Sequence, residues 1–233
     1  MFTPTDTVTT ITTGLSSPKA IAFTPSGSLV YVLCNSQLLT MPVGDSTTSV
    51  QAGNGSYAFA DGQGTAAMFN AARGLVVHPV TGVAYITDQG NHRIRVCTPQ
   101  GLVSTLAGGA FGNVDGDASS ARFNNPFGIV MDSTSMYLYV TCLRSNNLRQ
   151  VTVSTGYTIT IAGSGIAASI DGQGLGASFY APSYVCYWVV LNIANLHGFC
   201  NTVSLLIFPR SDTRIVSLVI GSSNMFRVKL YKI

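Results

Sequence analysis

The stretch Asp61-Gly62-Gln63-Gly64-Thr65-Ala66-Ala67-Met68-Phe69 returns as Asp115 to Phe123 and again as Asp171 to Phe179. Successive Asp positions, and successive Phe positions, are 54 and 56 residues apart. Self-similarity at that period implies an array of supersecondary units, none able to bury its apolar face alone. The fold must therefore be one in which similar units stack.

Each unit carries several short apolar runs separated by turn signals. In the first, Ala20-Ile21-Ala22-Phe23 leads through Pro25-Ser26-Gly27 to Leu29–Leu33, then to Leu38–Met41 and Ser49–Ala52. The second runs Gly74–His78, Val83–Asp88, Asn91–Val96 and Leu102–Ala107. The third runs Gly128–Met131, Met136–Thr141, Asn147–Val151 and Tyr157–Ala162. Runs of this length, rich in β-branched residues and bounded by Gly, Pro, Asn and Ser, predict strands. The chain has no Glu and only 9% charged residues, which argues against long solvent-exposed helices. Residues 7–13, Thr-Val-Thr-Thr-Ile-Thr-Thr, look like the closing strand of a unit and could complete the last one by pairing the two chain ends. The expected fold is all-β. It is a partial or small β-propeller with about three clear four-stranded blades, followed by a degenerate fourth blade or an aberrant tail.

The run Asp88-Gln89-Gly90-Asn91-His92-Arg93-Ile94-Arg95-Val96 resembles the signature of the NHL-repeat propeller family, including its Asn-His dipeptide. The Asp-Gly-x-Gly-x-x-Ala-x-Phe linkers, followed by Pro-x-Gly-Ile-Val, resemble the inter-blade segments of its longer-repeat members. The likeness covers about residues 8–185 and erodes in the third unit, where Asp88 aligns with Cys142, Asn91 with Ser145 and His92 with Asn146. Propellers of this family usually have more than three blades, so the resemblance implies a truncated ring.

The pattern divides the chain into blades over 1–182 and an atypical tail over 183–233. No charged residue occurs between Asp171 and Arg210, and the tail lacks both the linker and the signature. Three readings of it stand: a transmembrane helix over about 184–208, a degenerate fourth blade, or an end foreign to the domain. Asn192, Asn195, His197 and Asn201 are costly in lipid, which weighs against the first. The beginning of the chain has neither a basic n-region nor an apolar h-region, so no signal peptide is expected, and the compartment is left open.

The net charge of +3 is concentrated at the end: residues from Arg210 onward carry five basic groups and one acid. The repeat region is near neutral. Arg73, Arg93, Arg122 and Arg144 are offset there by Asp61, Asp88, Asp115, Asp117 and Asp171, a poor footprint for phosphate. An RNA-binding propeller is thus an alternative, not the preferred reading. Cys34, Cys97, Cys142, Cys186 and Cys200 are odd in number and contain no C-x-x-C pair, so buried free thiols are expected.

The Asp-Gly loops read as turns rather than calcium ligands, since Pro126 stands where an EF-hand loop needs its closing Glu. His78, His92 and His197 have no metal-ligand spacing, and no G-x-S-x-G elbow occurs. No metal and no cofactor is expected. A hydrolase or lyase with a central-channel metal is the alternative from another class. The preferred function is a non-enzymatic binding or scaffold module for a protein or peptide. In a four-strand meander the turn between the second and third strands shares an end with the inter-blade linkers. Those are the longest loops, and loops on a rigid frame carry recognition. That places the candidate binding residues Arg73, His92, Arg93, Arg122 and Arg144 on one face.

Overall fold

The computed structural model describes residues 9–190 and, beyond them, 202–209, 214–220 and 226–232; side chains are described as far as Tyr187. Four antiparallel meanders follow one another. The first is β1 (Pro18–Phe23), β2 (Leu29–Cys34), β3 (Leu38–Pro42) and β4 (Ser49–Ala52). A two-residue strand in the linker, β5 (Gly62–Gln63), precedes β6 (Ala72–Val77), β7 (Ala84–Asp88), β8 (Arg93–Cys97) and β9 (Leu102–Gly108). The third blade is β10 (Pro126–Met131), β11 (Tyr137–Cys142), β12 (Asn147–Thr152) and β13 (Thr158–Ala162). The fourth is β14 (Gly172–Gln173), β15 (Pro182–Val190), β16 (Thr202–Pro209), β17 (Arg214–Ile220) and β18 (Phe226–Lys232). β1, β6, β10 and β15 are the innermost strands and pack side by side in that order. The architecture is that of an all-β propeller.

The apolar residues of each blade pack against its neighbours, which is why the repeat needs stacking. One cluster joins Tyr31, Leu33 and Leu38 of the first blade to Ile86, Leu75 and Val77 of the second, with Phe69 of the linker between them. The same arrangement recurs with Tyr85, Ile94, Phe123, Ile129, Met131 and Val140. It recurs again with Tyr139, Leu148, Phe179, Val185 and Tyr187. In each case two inner-strand side chains of the later blade face backward onto the earlier one.

Close approach of the inner strands explains two glycines. A Cβ on Gly74 would lie 2.5 Å from the Phe127 carbonyl oxygen, and one on Gly128 the same distance from that of Ser183. The Thr87 hydroxyl accepts from the Gly74 amide (2.7 Å) and donates to the Phe127 carbonyl (2.6 Å). Thr141 does the same between Gly128 and Ser183, at 2.9 Å on each side. Each hydroxyl thus satisfies one backbone group on either side of a blade junction.

The tail forms strands. Residues 184–190 and 203–208, read from the sequence as one possible membrane helix, lie in β15 and β16. Among the described residues no helix is long and apolar enough to cross a membrane. The expectation for residues 7–13 is also corrected. Residues 9–13 adopt no strand, and positions 7 and 8 lie outside the described residues. The outer position of the fourth blade belongs to β18, with β14 beyond it. The physical reason lies in the period: Leu15 stands 54 residues before Phe69, so this segment takes the place of a linker. Leu15 accordingly packs on Val30, Val32, Cys34, Leu39 and Met41. Ser17, Ala71, Asn125 and Ala181, each just before an inner strand, share positive φ between 47° and 55°.

Candidate functional site

Each linker leaves the outer strand of one blade, crosses the turn between that blade's second and third strands, and returns through the blade interface. Gly53, Gly108 and Gly163 begin the crossings, with φ of 92°, 101° and 97°. A Cβ on Gly108 would lie 2.5 Å from the His92 carbonyl oxygen and 2.9 Å from the Phe123 ring; on Gly163 it would meet Asn146 and Phe179 at the same distances. The linker then pairs with the edge of the next blade, as β5 does with β9, and turns inward so that Ala67 and Phe69 are fully buried.

A buried arginine fastens this return. Arg95, on β8, has no exposed surface. It donates to Asp88 (2.7 Å), Asp61 (2.7 Å) and the carbonyls of Ala60 (2.7 Å) and Met68 (3.1 Å). Its guanidinium lies 5.2 Å from the Phe69 ring centroid and 4.9 Å from that of Phe59. Arg149 repeats the device on β12, with Asp115 (2.8 Å), the carbonyls of Arg122 and Val114 (both 2.8 Å) and the Phe123 ring (5.0 Å). Asp61 and Asp115, the first residues of the repeated stretch, are therefore the anchors of the blade joint. Asp88 is enclosed; burial pushes its carboxyl up, while donors from Asn91, the Asn70 amide and Arg95 pull it back. In the third blade Cys142 stands in its place, and burial pushes that thiol up to about 11. Cys34 and Cys97 are buried free thiols as well, and Cys186 is half-buried; Cys200 lies outside the described residues.

The linkers and the second-to-third-strand turns meet at one end of the blades. The Asn91 side chain donates to the Ala58 carbonyl (2.9 Å), and the Gly90 amide to that of Asn70 (2.8 Å). Asn35 reaches the Tyr57 hydroxyl (3.2 Å), and Asn146 the Gly165 carbonyl (3.3 Å).

The five candidate residues lie at this end in quite different states. Arg93 stacks on Phe59, 3.8 Å from its centroid, and donates to the Asn91 carbonyl. Burial pulls its pKa down, and Arg95 adds to that. His92 adopts a left-handed φ of 57°, and its Nδ1 accepts from the Asn125 amide at 3.4 Å. Burial, then Arg93, holds its pKa below the usual imidazole value. Arg73 donates through Nε to Gln89 (2.9 Å) and leans over Phe127 on the neighbouring inner strand (5.8 Å). Arg122 folds onto its own linker, donating to the carbonyls of Ser119 (2.7 Å) and Ala121 (2.8 Å). Arg144 is exposed.

Aromatic residues not singled out from the sequence share this end. Tyr57 is 60% and Phe111 71% exposed, each 12 residues before the buried Phe of its linker. Phe59 is 43% and Ile166 67% exposed. Phe111 packs beside His92, with ring centroids 6.1 Å apart. The equal offset of Tyr57 and Phe111 within the repeat was a readable signal. Of the two described histidines, His78 caps the turn at the opposite end, its Nδ1 accepting from Val80 and Thr81. His197 lies outside the described residues. Among the described residues no three His, Cys, Asp or Glu side chains form a group that could hold a metal ion.

No family model matches the chain. It is 28% identical over 182 residues to protein SUPPRESSOR OF QUENCHING 1 of Arabidopsis thaliana, covering 72% of this chain and 17% of that protein. It is 30% identical over 112 residues to NHL repeat-containing protein 2 of Bos taurus, covering 44% of this chain and 15% of that one. The chain thus spans about a sixth of these relatives, and the similarity is NHL-like. Among solved structures, an auxiliary nutrient binding protein from Bacteroides thetaiotaomicron superposes with a TM-score of 0.68 at 14% identity, over 95% of this chain and 48% of that one. A streptogramin B lyase superposes with a TM-score of 0.55 at 12% identity, over 94% and 55%. At these identities the likeness is one of fold.

Proposed function

We propose that this chain is part of an NHL-type propeller, acting without catalysis, whose linker face binds a protein or peptide. The observation that carries the reading is the repeated exposure of Tyr57 and Phe111 at equivalent linker positions, each beside a polar turn residue, Asn35 or His92. Large apolar side chains held in water on a rigid frame mark an interaction surface. Tyr, Phe and Arg are the residue types that dominate binding energy in protein interfaces. Arg93 stacked on Phe59 and the free head group of Arg144 add the cationic part of such a surface. In this reading residues 1–182 carry the recognition loops and residues 183–233 provide the terminal blade. Similarity to NHL repeat-containing proteins supports the family assignment, though it covers only part of the chain.

The test uses peptides selected from a random display library on the immobilised full chain. Selected peptides should lose at least tenfold in affinity, about 1.4 kcal/mol, on the variant Tyr57→Ala/Phe111→Ala, and less on Arg144→Glu. Val80→Ser, at the opposite end, should leave binding unchanged. Peptides that bind the aromatic double variant undiminished but lose affinity with Val80→Ser would overturn the proposal.

A further inference from the structure

The first three blades carry a tyrosine at the same place on the second strand: Tyr31, Tyr85 and Tyr139, each 54 residues after the last. All three are buried at the seam with the following blade. The seams around them are filled differently. At the second, Val83, Val96 and Leu106 of one blade and Val153 of the next join the cluster of Tyr85 and Met131. At the third, Tyr187 stacks on Tyr139 with ring centroids 6.4 Å apart, and the Tyr139 hydroxyl accepts from the Gln150 amide (3.4 Å). At the first, strand pairing puts Leu29, Thr40, Gln51 and Pro99 in the places of Val83, Val96, Leu106 and Val153. The inner-strand residue beside the ring there is Val77, shorter than Met131 or Tyr187. Two apolar fillers of the repeat have become polar, and a third has shrunk.

The result is a cavity of about 330 Å³ between the first and second blades, with Tyr31, Thr40, Gln51 and Pro99 in its wall. It lies between the β1–β2 and β6–β7 turns, at the end opposite the linkers, where Val80 on the rim is 81% exposed. That is room for about eleven waters, or for one molecule of roughly as many non-hydrogen atoms. No side chain lining it is charged, so an ionic ligand would lose its hydration without gaining a partner. Hydrogen-bonding capacity is nevertheless left over. Tyr31 is only 3% exposed, yet its hydroxyl has no hydrogen-bond partner among the described residues. Gln51 donates to the Pro99 carbonyl (2.7 Å), which positions the side chain and leaves its Oε1 to accept. The Thr81 hydroxyl accepts from the Val83 amide (3.4 Å) and keeps its own proton to donate. A few placed polar groups among apolar walls, here Leu29, Val80 and Pro99, are what a small-molecule site needs.

We infer that this cleft binds a small neutral molecule bearing several hydroxyls, of the size of one sugar ring or cyclic polyol. Tyr31 and Thr81 donate to its oxygens, Gln51 accepts from one of its hydroxyls, and its C–H surface lies against the apolar wall. The ligand recovers the hydrogen bond that the enclosed Tyr31 hydroxyl lacks within the chain. The site is at the other end of the blades from the linker face and does not depend on what that face binds.

The test is saturation-transfer nuclear magnetic resonance on the full chain. The neutral probes are glucose, galactose, mannose and myo-inositol; the charged ones are glucuronate and glucose 6-phosphate. At least one neutral probe should bind at millimolar concentration, and its charged counterparts at least tenfold more weakly. The variant Thr40→Val/Gln51→Leu installs the residues that fill the second seam. It should lose binding at least tenfold while its melting temperature stays level or rises. Tyr31→Phe keeps the ring and removes only the hydroxyl, and should weaken binding roughly threefold to tenfold. Tyr57→Ala/Phe111→Ala, on the linker face, should leave binding of the probe unchanged. No neutral probe bound at tens of millimolar, charged probes bound as well as neutral ones, or binding that survives both Thr40→Val/Gln51→Leu and Tyr31→Phe would each overturn the proposal.

Discussion

The second blade and the first use the same joint with opposite chemistry. In the second, Arg95 ties Asp88, Asp61 and two linker carbonyls together beneath the Phe69 ring. In the first, the strand register puts Leu39 at the Arg95 position and Cys34 at the Asp88 position, with Leu15 at the place of Phe69. Pairing in the fourth blade puts Val216 and Pro209 at the same two sites. The two interior blades are thus clamped by a buried cation, whereas the described residues of the first blade hold the same joint by apolar contact. The linker path is what the fold requires; the ion pair is one of two ways of holding it. A charged joint ties several backbone carbonyls to one residue and so fixes a linker geometry that apolar packing leaves looser.

The largest effect should come from converting one joint toward the other. Arg95→Leu alone leaves Asp88 buried without its cation and should cost about 3–5 kcal/mol in chemical denaturation. Adding Asp88→Cys reproduces the first-blade pair and should return roughly 2 kcal/mol through coupling of the two sites. A double variant no more stable than the single one would show that the two joints are not interchangeable. Next comes the plug. Phe123→Ala removes a fully buried ring between the second and third blades and should cost about 3–5 kcal/mol. Leu15→Ala, at the half-buried equivalent in the first blade, should cost about 1–2 kcal/mol. Equal losses would mean that the end joint is as tightly packed as the interior one.

The smallest effect concerns the turn beside the joint. His92 and Asn146 occupy equivalent left-handed positions, φ 57° and 50°. His92→Asn should change stability at pH 7 by no more than about 0.5 kcal/mol. Its signature is pH dependence. Burial lowers the folded pKa of His92, so below the unfolded value of about 6.5 the unfolded chain binds more protons. The natural chain should therefore lose stability as pH falls from that value through the folded pKa, and the Asn variant should lose less. Parallel melting-temperature profiles between pH 7 and 5 would show that His92 has the same pKa in the folded and unfolded chains.

Much of this was legible in the chain itself. The three blades, the order of their strands and the role of Asp61, Asp115 and their glycines as joints follow from the period, while strand ends shift by one or two residues, as where Asn91 and His92 form the turn before β8 rather than its start. That holds because each repeated residue answers the same local need: a left-handed turn, a close approach, or a ring between sheets. The strand at residues 7–13 was misread because β-branched composition resembles a closing strand, whereas the 54-residue phase assigns the segment to a linker. Nothing in the sequence marks Arg95 and Arg149 as buried, because a cation in a strand is ordinarily a solvated one; carboxylate partners 34 residues away make them core residues. Arg122 resembled Arg93 in sequence and differs in fate, one folded on its own linker carbonyls and the other stacked on Phe59.

The sequence by itself determined the period, the all-β class and the end of the blades where long loops gather. These depend on residue spacing and on backbone conformations that few residues tolerate. Only the tertiary structure decided which charges are buried, that β15 to β18 pair as a meander, and that Ile21 and Phe23 are exposed while the equivalent pairs of β6, β10 and β15 pack on a neighbouring blade. The reason is that burial and pairing depend on what another stretch of chain, or another chain, brings alongside.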